Sequence, residues 1–447
     1  MQAPRVDQIN RDSRAIKQGD WFLALSGENF NGHSFIQQAL EGGAAGFFYE
    51  HRWAHLVPSQ VLERGIAVAD TLTAFQHIAT GWRADYLTAT TLFALTGSVG
   101  KTTTKDMMSC ILAAAGNSYS NKKNFNNEIG VPLTLTQLRP DHEFAILEFG
   151  ARHVGDIALL NQIAQPNIVC LLNVGSAHLG IFGSKENLLN TKFEIFSASR
   201  PDSVWITNAD DENIQTKRRE LKKGTVLFGK AQDAVIRLLR TEKLADNSMS
   251  VVIAVNNIEY EWRLTSYHEA YAASLSACVA MAHAAGIDLE AIQEGLNSFI
   301  PSPGRFFTHK LGPTTIIDDT YNANPESMRK GIETLQKLYP EDDKVIILGD
   351  MLELGEDAGS LHAALGDYVA LNSGFSLFCA VGDCSQHTAH ALLQAGVSPA
   401  KVKHFATSSH LIEEINSIAR AGRVYYLKGS NSIKLNKVVD VLLTNLS

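Results

Sequence analysis

Residues 96–103, Thr96-Gly97-Ser98-Val99-Gly100-Lys101-Thr102-Thr103, follow the apolar run TTLFAL at 90–95. After them Met107, Met108, Ile111, Leu112 and Ala115 recur at helical spacing until Gly116. A buried strand, a glycine turn and a helix in that order place consecutive backbone N–H groups around an anion, with the positive end of the helix behind them. In such a loop Lys101 reaches the β- and γ-phosphates of a nucleotide, and the Thr102 hydroxyl is a ligand for Mg²⁺. Leu95 stands where the complete G-x-x-x-x-G-K-T pattern has its first glycine. The bland alternative is a glycine-rich turn of no special chemistry, and the strand and helix on either side argue against it.

Downstream, FAILEFG (144–150), NIVCLLNVG (167–175) and SVWITNAD (203–210) are further apolar runs ending in small or polar residues. They predict a mostly parallel sheet with ligands at the carboxyl ends of its strands. Pro301-Ser302-Pro303-Gly304 reads as a linker. Beyond it the alternation restarts with TTIIDDTY, a helix from Pro325 to Tyr339, VIILGDM, a helix around Leu361–Leu371, LFCAVG, helices around Thr388–Gln394 and Leu411–Arg420, and VYYLKG. Upstream, DWFLAL (20–25) and AGFFY (45–49) belong to a small α/β unit. The expected organisation is α/β with three domains: 1–84, a central P-loop domain with a mostly parallel sheet at 85–303, and a Rossmann-like domain at 304–447.

At 447 residues, 45% of them hydrophobic, the chain can bury more than one core. Thirty-nine Lys and Arg against 47 Asp and Glu give a net charge of −8, which argues against nucleic acid or an anionic membrane as partner. MQAPRVDQINRDSR lacks the apolar core of a signal peptide, and no stretch approaches the ~18 apolar residues of a membrane span. Five scattered cysteines without a C-x-x-C pair suit reduced thiols, so the expected location is the cytoplasm.

Three more side chains enter the reading of chemistry. Glu148, at the exit of FAILEFG, could complete a Mg²⁺ shell with Thr102, since Mg²⁺ takes oxygen ligands and shares them with phosphates. His178 follows another strand, and Lys192 lies in the helical TKFEIF. Taken alone, Glu148 passes for a strand-end residue, His178 for a satisfied polar residue and Lys192 for a solvated helix lysine.

Seven segments together resemble the Mur ligases: TGSVGKTT (96–103), NKKNFNNEIGVPLTL (121–135), FAILEFGARHVGDIA (144–158), NVGSAHLGIFGSKENL (173–188), TKFEIF (191–196), DDTYNANPESM (318–328) and ILGDMLELG (347–355). The resemblance runs from Asp12 to about Ser430. YNANP with GDMLELG narrows it to the D-alanyl-D-alanine-adding branch, and the D-N-P-R motif of the branch that adds the third residue is absent. The family implies an N-terminal domain for a UDP-sugar, a central ATPase domain and a C-terminal domain that closes over the site.

Under that resemblance Asp12, Ser13, Arg14 and the segment 27–33 (GENFNGH) lie in the UDP-binding region, although DSR by itself reads as a turn. Gly97, Ser98, Gly100, Lys101, Thr102 and Thr103 hold ATP; Thr102, Glu148 and His178 face Mg²⁺; Lys192 is carboxylated by CO₂ to a carbamate that bridges metals. Lys101, His178 and Lys192 would be the catalytic groups. Asn126 and Asn127 look over the phosphates, Arg305 and Asp319 approach the nucleotide, and Tyr321, Asn322 and Lys428 approach the substrates once the domains close. The implied partners are UDP-N-acetylmuramoyl-tripeptide and D-alanyl-D-alanine, joined through an acyl phosphate by a monomeric enzyme.

Three departures stand against the family pattern. The H-N-x-x-x-N-like run whose asparagines approach the adenine appears as His268-Glu269-Ala270-Tyr271-Ala272, and K-G-S-R appears as Lys428-Gly429-Ser430-Asn431. Only eleven residues precede Asp12, where the family implies a further strand and helix. Two other readings therefore stay open: another Mur-type or folylpolyglutamate-type amide ligase, separated by testing acyl and amine substrates, and a silent nucleotide-binding homologue, which would bind ATP without forming an amide.

Overall fold

The computed structural model describes residues 4–27, 30–121, 125–175 and 179–446. His178, Glu28 and Asn29 of the GENFNGH segment, and Lys122 to Asn124 of the asparagine segment lie outside the described residues.

Three parallel or mostly parallel sheets follow one another along the chain. The first has four parallel strands in the order Ile9–Asn10, Trp21–Leu23, Gly46–Glu50, Gly65–Val68. Period-two alternation sends Phe22 and Phe47 to one face, against Ile36 and Ala39. Trp21, Leu23 and Phe48 go to the other, against Phe75 of the helix Thr71–Tyr86. One turn further along, Ala79 of that helix enters the core of the second sheet, so a single helix packs against two cores.

The second sheet has nine strands, with Thr91–Thr96 between Phe144–Glu148 and Ile168–Leu171, all parallel. Helices Lys101–Ala115, Tyr271–Ala284 and Leu289–Ser298 contribute to the core on one face. Gly130–Gln137, Asp156–Ala164 and Lys185–Ser197 contribute to the core on the other. The mostly parallel sheet expected from the apolar runs is present. The sequence reading did not anticipate its antiparallel margin, Ile236–Lys243, Met249–Val255 and Ile258–Leu264. The turn Asn256-Asn257, with φ +50° and +67°, supplies the two left-handed residues a tight two-residue hairpin requires.

The third sheet has the order Phe307–Leu311, Thr314–Asp319, Val424–Lys428, Lys344–Gly349, Leu377–Val381, Val402–Phe405, antiparallel only at its first strand. The helix expected over Leu411–Arg420 is instead two short ones, Ser408–Glu413 and Ile415–Ile418. Thr407 caps the first by accepting from His410 N, and Glu414, at φ −93° and ψ 0°, ends it. Between the second and third sheets, 299–306 forms no regular element.

Candidate active site

The strand Thr91–Thr96 ends in Gly97, and Gly100 adopts φ +81° immediately before the helix Lys101–Ala115. That left-handed turn suits glycine and swings the following amides to face outward. Ser98 N and Val99 N donate to Asn173 Oδ1 at 3.0 and 2.9 Å, and Asn173 Nδ2 donates back to Val99 O at 2.9 Å. The helix has no side-chain cap, so the positive potential of its first turn is left for an external anion. Ser98 Oγ is buried without a partner. An orphaned hydroxyl beside uncapped amides fits a phosphate oxygen.

Lys101 folds back over this loop, its Nζ 2.8 Å from Gly97 O and 3.4 Å from Ser98 O. Burial pulls its pKa down and Glu148 opposes the shift, so the ammonium is held where an anion would relieve its desolvation. Thr102 Oγ1 donates to Glu148 Oε2 at 2.7 Å, and Asn126 Nδ2 donates to Glu148 Oε1 at 2.8 Å. Glu148 is thus fixed on both oxygens at the end of its strand, 3% exposed. Asn121 supports it from behind, its Oδ1 accepting from Glu148 N at 3.2 Å. Asn127 makes no described hydrogen bond to this cluster; its Oδ1 accepts from Gly130 N, at the start of the next helix, at 3.0 Å.

Lys192 is 1% exposed, and the solvated helix lysine it resembled in isolation is ruled out. On Lys185–Ser197 it falls on the face that packs the sheet, since Leu188 and Ile195 bracket it at helical spacing. Burial, and then the Lys101 charge, bring its pKa to about 7. A buried amine that is half neutral near pH 7 is a nucleophile.

From across the linker, Arg305 Nη2 donates to Thr102 Oγ1 at 2.8 Å, and its guanidinium carbon lies 4.1 Å over the Tyr321 ring. Lys428 Nζ pairs with Asp319 Oδ2 at 2.8 Å and donates to Asn322 O at 3.0 Å. Other contacts hold the linker and the third sheet's unit against the second: Ser302 Oγ to Asp106 Oδ2 at 2.7 Å, Glu269 N to Thr334 Oγ1 at 3.1 Å, and Gly180 N to Glu353 O at 3.1 Å.

These groups surround one cavity of about 940 Å³, lined by both units. Ser98, Gly100, Lys101, Thr102, Thr103, Asn126, Asn127, Glu148, Lys192, Arg305, Asp319, Tyr321, Asn322 and Lys428 all face it, while Gly97 lies just behind, its Cβ position 3.0 Å from Leu172 Cβ. Ser13 and Arg14 do not. Ser13 Oγ donates to Gln38 Oε1 at 3.1 Å, and Arg14 pairs with Asp12 at 2.8 Å on the surface of the first unit. Asp12 instead lines a second cavity of about 440 Å³ between the first two units, and Arg11 lines both cavities.

Two contributors escaped the sequence reading. Asn173, in NVG, and Asn121, opening NKKN, were signalled only by lying at strand ends. His268, in the departed run, lines the main cavity stacked on Tyr271 with ring centroids 5.0 Å apart. Burial, and then the Lys428 charge, bring its pKa to about 3, so it is neutral. The neighbouring Glu269 is turned to Lys337 at 2.5 Å.

For a hard divalent cation the donors present are the Thr102 hydroxyl and the Glu148 carboxylate, both oxygen, and among the described residues no group of three His, Cys, Asp or Glu gathers elsewhere. Two protein oxygens suit an ion that completes its shell with phosphates and water.

Comparison with known proteins agrees along the chain. Residues 5–83 match the Mur ligase family catalytic domain, 95–280 the Mur ligase middle domain, and 304–431 the Mur ligase glutamate ligase domain. The UDP-N-acetylmuramoyl-tripeptide-D-alanyl-D-alanine ligase of Synechocystis sp. is 34% identical over 98% of this chain and 92% of its own length. That of Escherichia coli is 31% identical over 98% and 94%. Among solved structures, MurF from Acinetobacter baumannii superposes with a TM-score of 0.86 at 31% identity, covering 97% of this chain and 93% of its own. MurF ligase from Thermotoga maritima in complex with ADP does so at 0.85 and 25% identity, covering 100% and 99%.

Proposed function

The chain belongs to the Mur ligase family, and from that premise we propose that it joins D-alanyl-D-alanine to the peptide carboxylate of UDP-N-acetylmuramoyl-tripeptide, consuming ATP, in peptidoglycan precursor synthesis. The observation that carries the reading is one cavity in which Lys101, Thr102, Glu148 and Lys192 of the central unit face Arg305 of the C-terminal unit.

A carboxylate resists amide formation because its oxide cannot leave. The γ-phosphoryl group of ATP is transferred to a carboxylate oxygen, the bond to the β-phosphate oxygen breaks, and ADP departs. The amine of D-alanyl-D-alanine then attacks the acyl carbon, and phosphate leaves as the amide forms. Little covalent work falls to the protein; it positions groups and balances charge on the transferring phosphoryl.

The first-turn amides and Lys101 bind the phosphates, and Arg305 brings a second cation from across the linker. Thr102 and Glu148 would hold Mg²⁺, which supplies charge neutralisation at the phosphate oxygens. Lys192, half neutral near pH 7, is suited to attack CO₂ through its neutral form and lose a proton, which would turn a side chain repelled as a cation into an oxygen-bearing anion. Closure of the two units over the cavity would exclude water from the acyl phosphate. The reading keeps the expectation of a monomer working in the cytoplasm.

The test is phosphate release by the purified protein with ATP, Mg²⁺ and UDP-N-acetylmuramoyl-tripeptide. Release that depends on D-alanyl-D-alanine, with the amide product detected by mass, is expected. ATP binding with no product under any acyl and amine pair would sink the reading.

A further inference from the structure

Arg11 is the only described residue of the first unit that lines the main cavity, and it and Phe125 are the only two that line both cavities. They therefore stand where the two spaces adjoin. Arg11 follows directly on the edge strand Ile9–Asn10, at the carboxyl end where a parallel sheet presents its ligands. Asn10 fixes the turn beyond it: its Oδ1 accepts from Asp12 N at 3.0 Å, and its Nδ2 donates to Ala15 O at 3.1 Å.

Charge at this turn is unevenly spent. Asp12, next to Arg11 in the chain, takes both arms of Arg14, its Oδ1 accepting from Nε at 2.9 Å and its Oδ2 from Nη2 at 2.8 Å. Asp20 Oδ2 accepts from Lys17 N at 3.0 Å and from Asn10 Nδ2 at 3.3 Å. Among the described residues no carboxylate pairs with Arg11, whose guanidinium carbon lies 5.7 Å from the centre of the Phe125 ring. The aromatic face holds the cation without neutralising it.

On its other side Phe125 is tied to the reacting centre. Its carbonyl accepts from Asn121 Nδ2 at 3.0 Å, and Gly130 passes so close that an added Cβ would lie 2.4 Å from Phe125 Cα. The next residue, Asn126, donates to Glu148 Oε1 at 2.8 Å. The ring under Arg11 and the amide on Glu148 thus belong to neighbouring residues.

We propose that Arg11 binds a carboxylate of the acyl substrate other than the one being activated, and so selects a peptide that carries a second acid. The inference rests on the ligase reading and deepens it: under that reading the acyl substrate spans the first unit and the centre at Lys101 and Glu148, and crosses this seam. A guanidinium suits the task, since its planar fork takes a carboxylate on two parallel N–H groups and keeps its charge throughout the working pH range. The diphosphate is the competing anion. It lies at the far end of the substrate, beyond the sugar, whereas Arg11 stands close to where the peptide end reacts.

The test uses the full chain with ATP, Mg²⁺ and D-alanyl-D-alanine, and compares wild type with Arg11→Gln on three acyl substrates. These are UDP-N-acetylmuramoyl-tripeptide, the same compound with its non-reacting carboxylates as primary amides, and N-acetylmuramoyl-tripeptide without the nucleotide. Arg11→Gln should raise KM for the first about 10–100-fold, the loss of one charge-assisted pair. Its kcat should fall no more than about 3-fold, with KM for ATP and the thermal midpoint held. Amidation should cost wild type the same factor and the variant little, so that the two losses do not multiply. Arg11→Lys should recover part of the loss, because the charge remains and the fork does not. Equal KM values for wild type and Arg11→Gln would overturn the proposal, as would losses that multiply on the amidated substrate. The gap between wild type and variant should persist without the nucleotide; its closing there would assign Arg11 to the diphosphate and overturn the proposal too. In all these outcomes the ligase reading stands, provided wild type releases phosphate in dependence on both substrates. A wild type inert on every acyl substrate would sink that reading and this proposal together.

Discussion

Two strand ends face each other across the main cavity, and they spend their polar groups in opposite ways. Thr91–Thr96 runs into glycines and an uncapped helix, leaving amide dipoles and the Ser98 hydroxyl for something outside the chain. Thr314–Asp319 ends in Asp318 and Asp319, whose carboxylates already accept from Gly304 N, Phe306 N, Thr320, Tyr426 and Lys428. Both are carboxyl ends of parallel strands inside a sheet, the place where α/β folds bind ligands. Topology provides the location; whether the exit binds or braces is decided by whether the local side chains satisfy the local backbone.

The contrast can be broken most severely at the binding end. Lys101→Ala should lower kcat for phosphate release by about 1000-fold, since it removes the fixed cation from the phosphate cradle. Near wild-type turnover would show that the cradle is not the catalytic centre.

Next in size is the pH response of Lys192. With a folded pKa of about 7 against the ordinary lysine range, turnover should fall roughly tenfold per pH unit as the amine protonates below about pH 7. Stability obeys the same linkage: between about pH 7 and the ordinary lysine pKa the unfolded chain binds a proton that the folded chain does not, so stability rises with pH through that window. Urea unfolding at a series of pH values should show this rise in wild type and a flatter profile in Lys192→Met.

At the bracing end, Gly331→Ala places a methyl 1.8 Å from the Tyr426 hydroxyl, the group that holds Asp319. Tyr426 is fully buried and has no room to retreat, so a loss of about 1–3 kcal/mol in denaturant unfolding is expected. An unchanged midpoint would mean that the helix Pro325–Leu338 shifts freely and the brace is soft.

Near neutrality the smallest effect belongs to His268. Its folded pKa is about 3, so below the ordinary histidine pKa the unfolded chain takes up a proton first and stability falls as the pH drops toward 3. His268→Phe should lessen that acid loss in thermal unfolding while leaving stability near neutrality little changed. A wild-type profile with no such slope would mean that His268 is better solvated than its stacking on Tyr271 implies.

The loop proposed to cradle phosphate was legible from residues alone because its signal is local: strand, glycines, lysine, threonine and helix are contiguous. Glu148 was legible through its strand end, and Arg305, Asp319 and Lys428 only through resemblance. Leu188 and Ile195, flanking Lys192 at helical spacing, were the one local sign that its helix face would be buried, and Asn173 looked like any strand-end asparagine. The antiparallel margin at 236–264 was missed because the sheet was extrapolated from its parallel runs, and the turn Asn256-Asn257 between Met249–Val255, buried throughout, and the largely exposed Ile258–Leu264 was not read. Ser13 and Arg14 were placed with the UDP-binding region by family likeness, and their contacts here are with Gln38 and Asp12.

By itself, then, the chain's sequence determined three α/β units and where an anion would be cradled, because hydrophobic period and glycine placement act over a few residues. Only the tertiary structure decided which charges are buried together, which acids are spent on their own backbone and which arginine crosses the linker. Those outcomes depend on desolvation and on partners up to 203 positions apart, as Arg305 and Thr102 are, and no short stretch of residues encodes them.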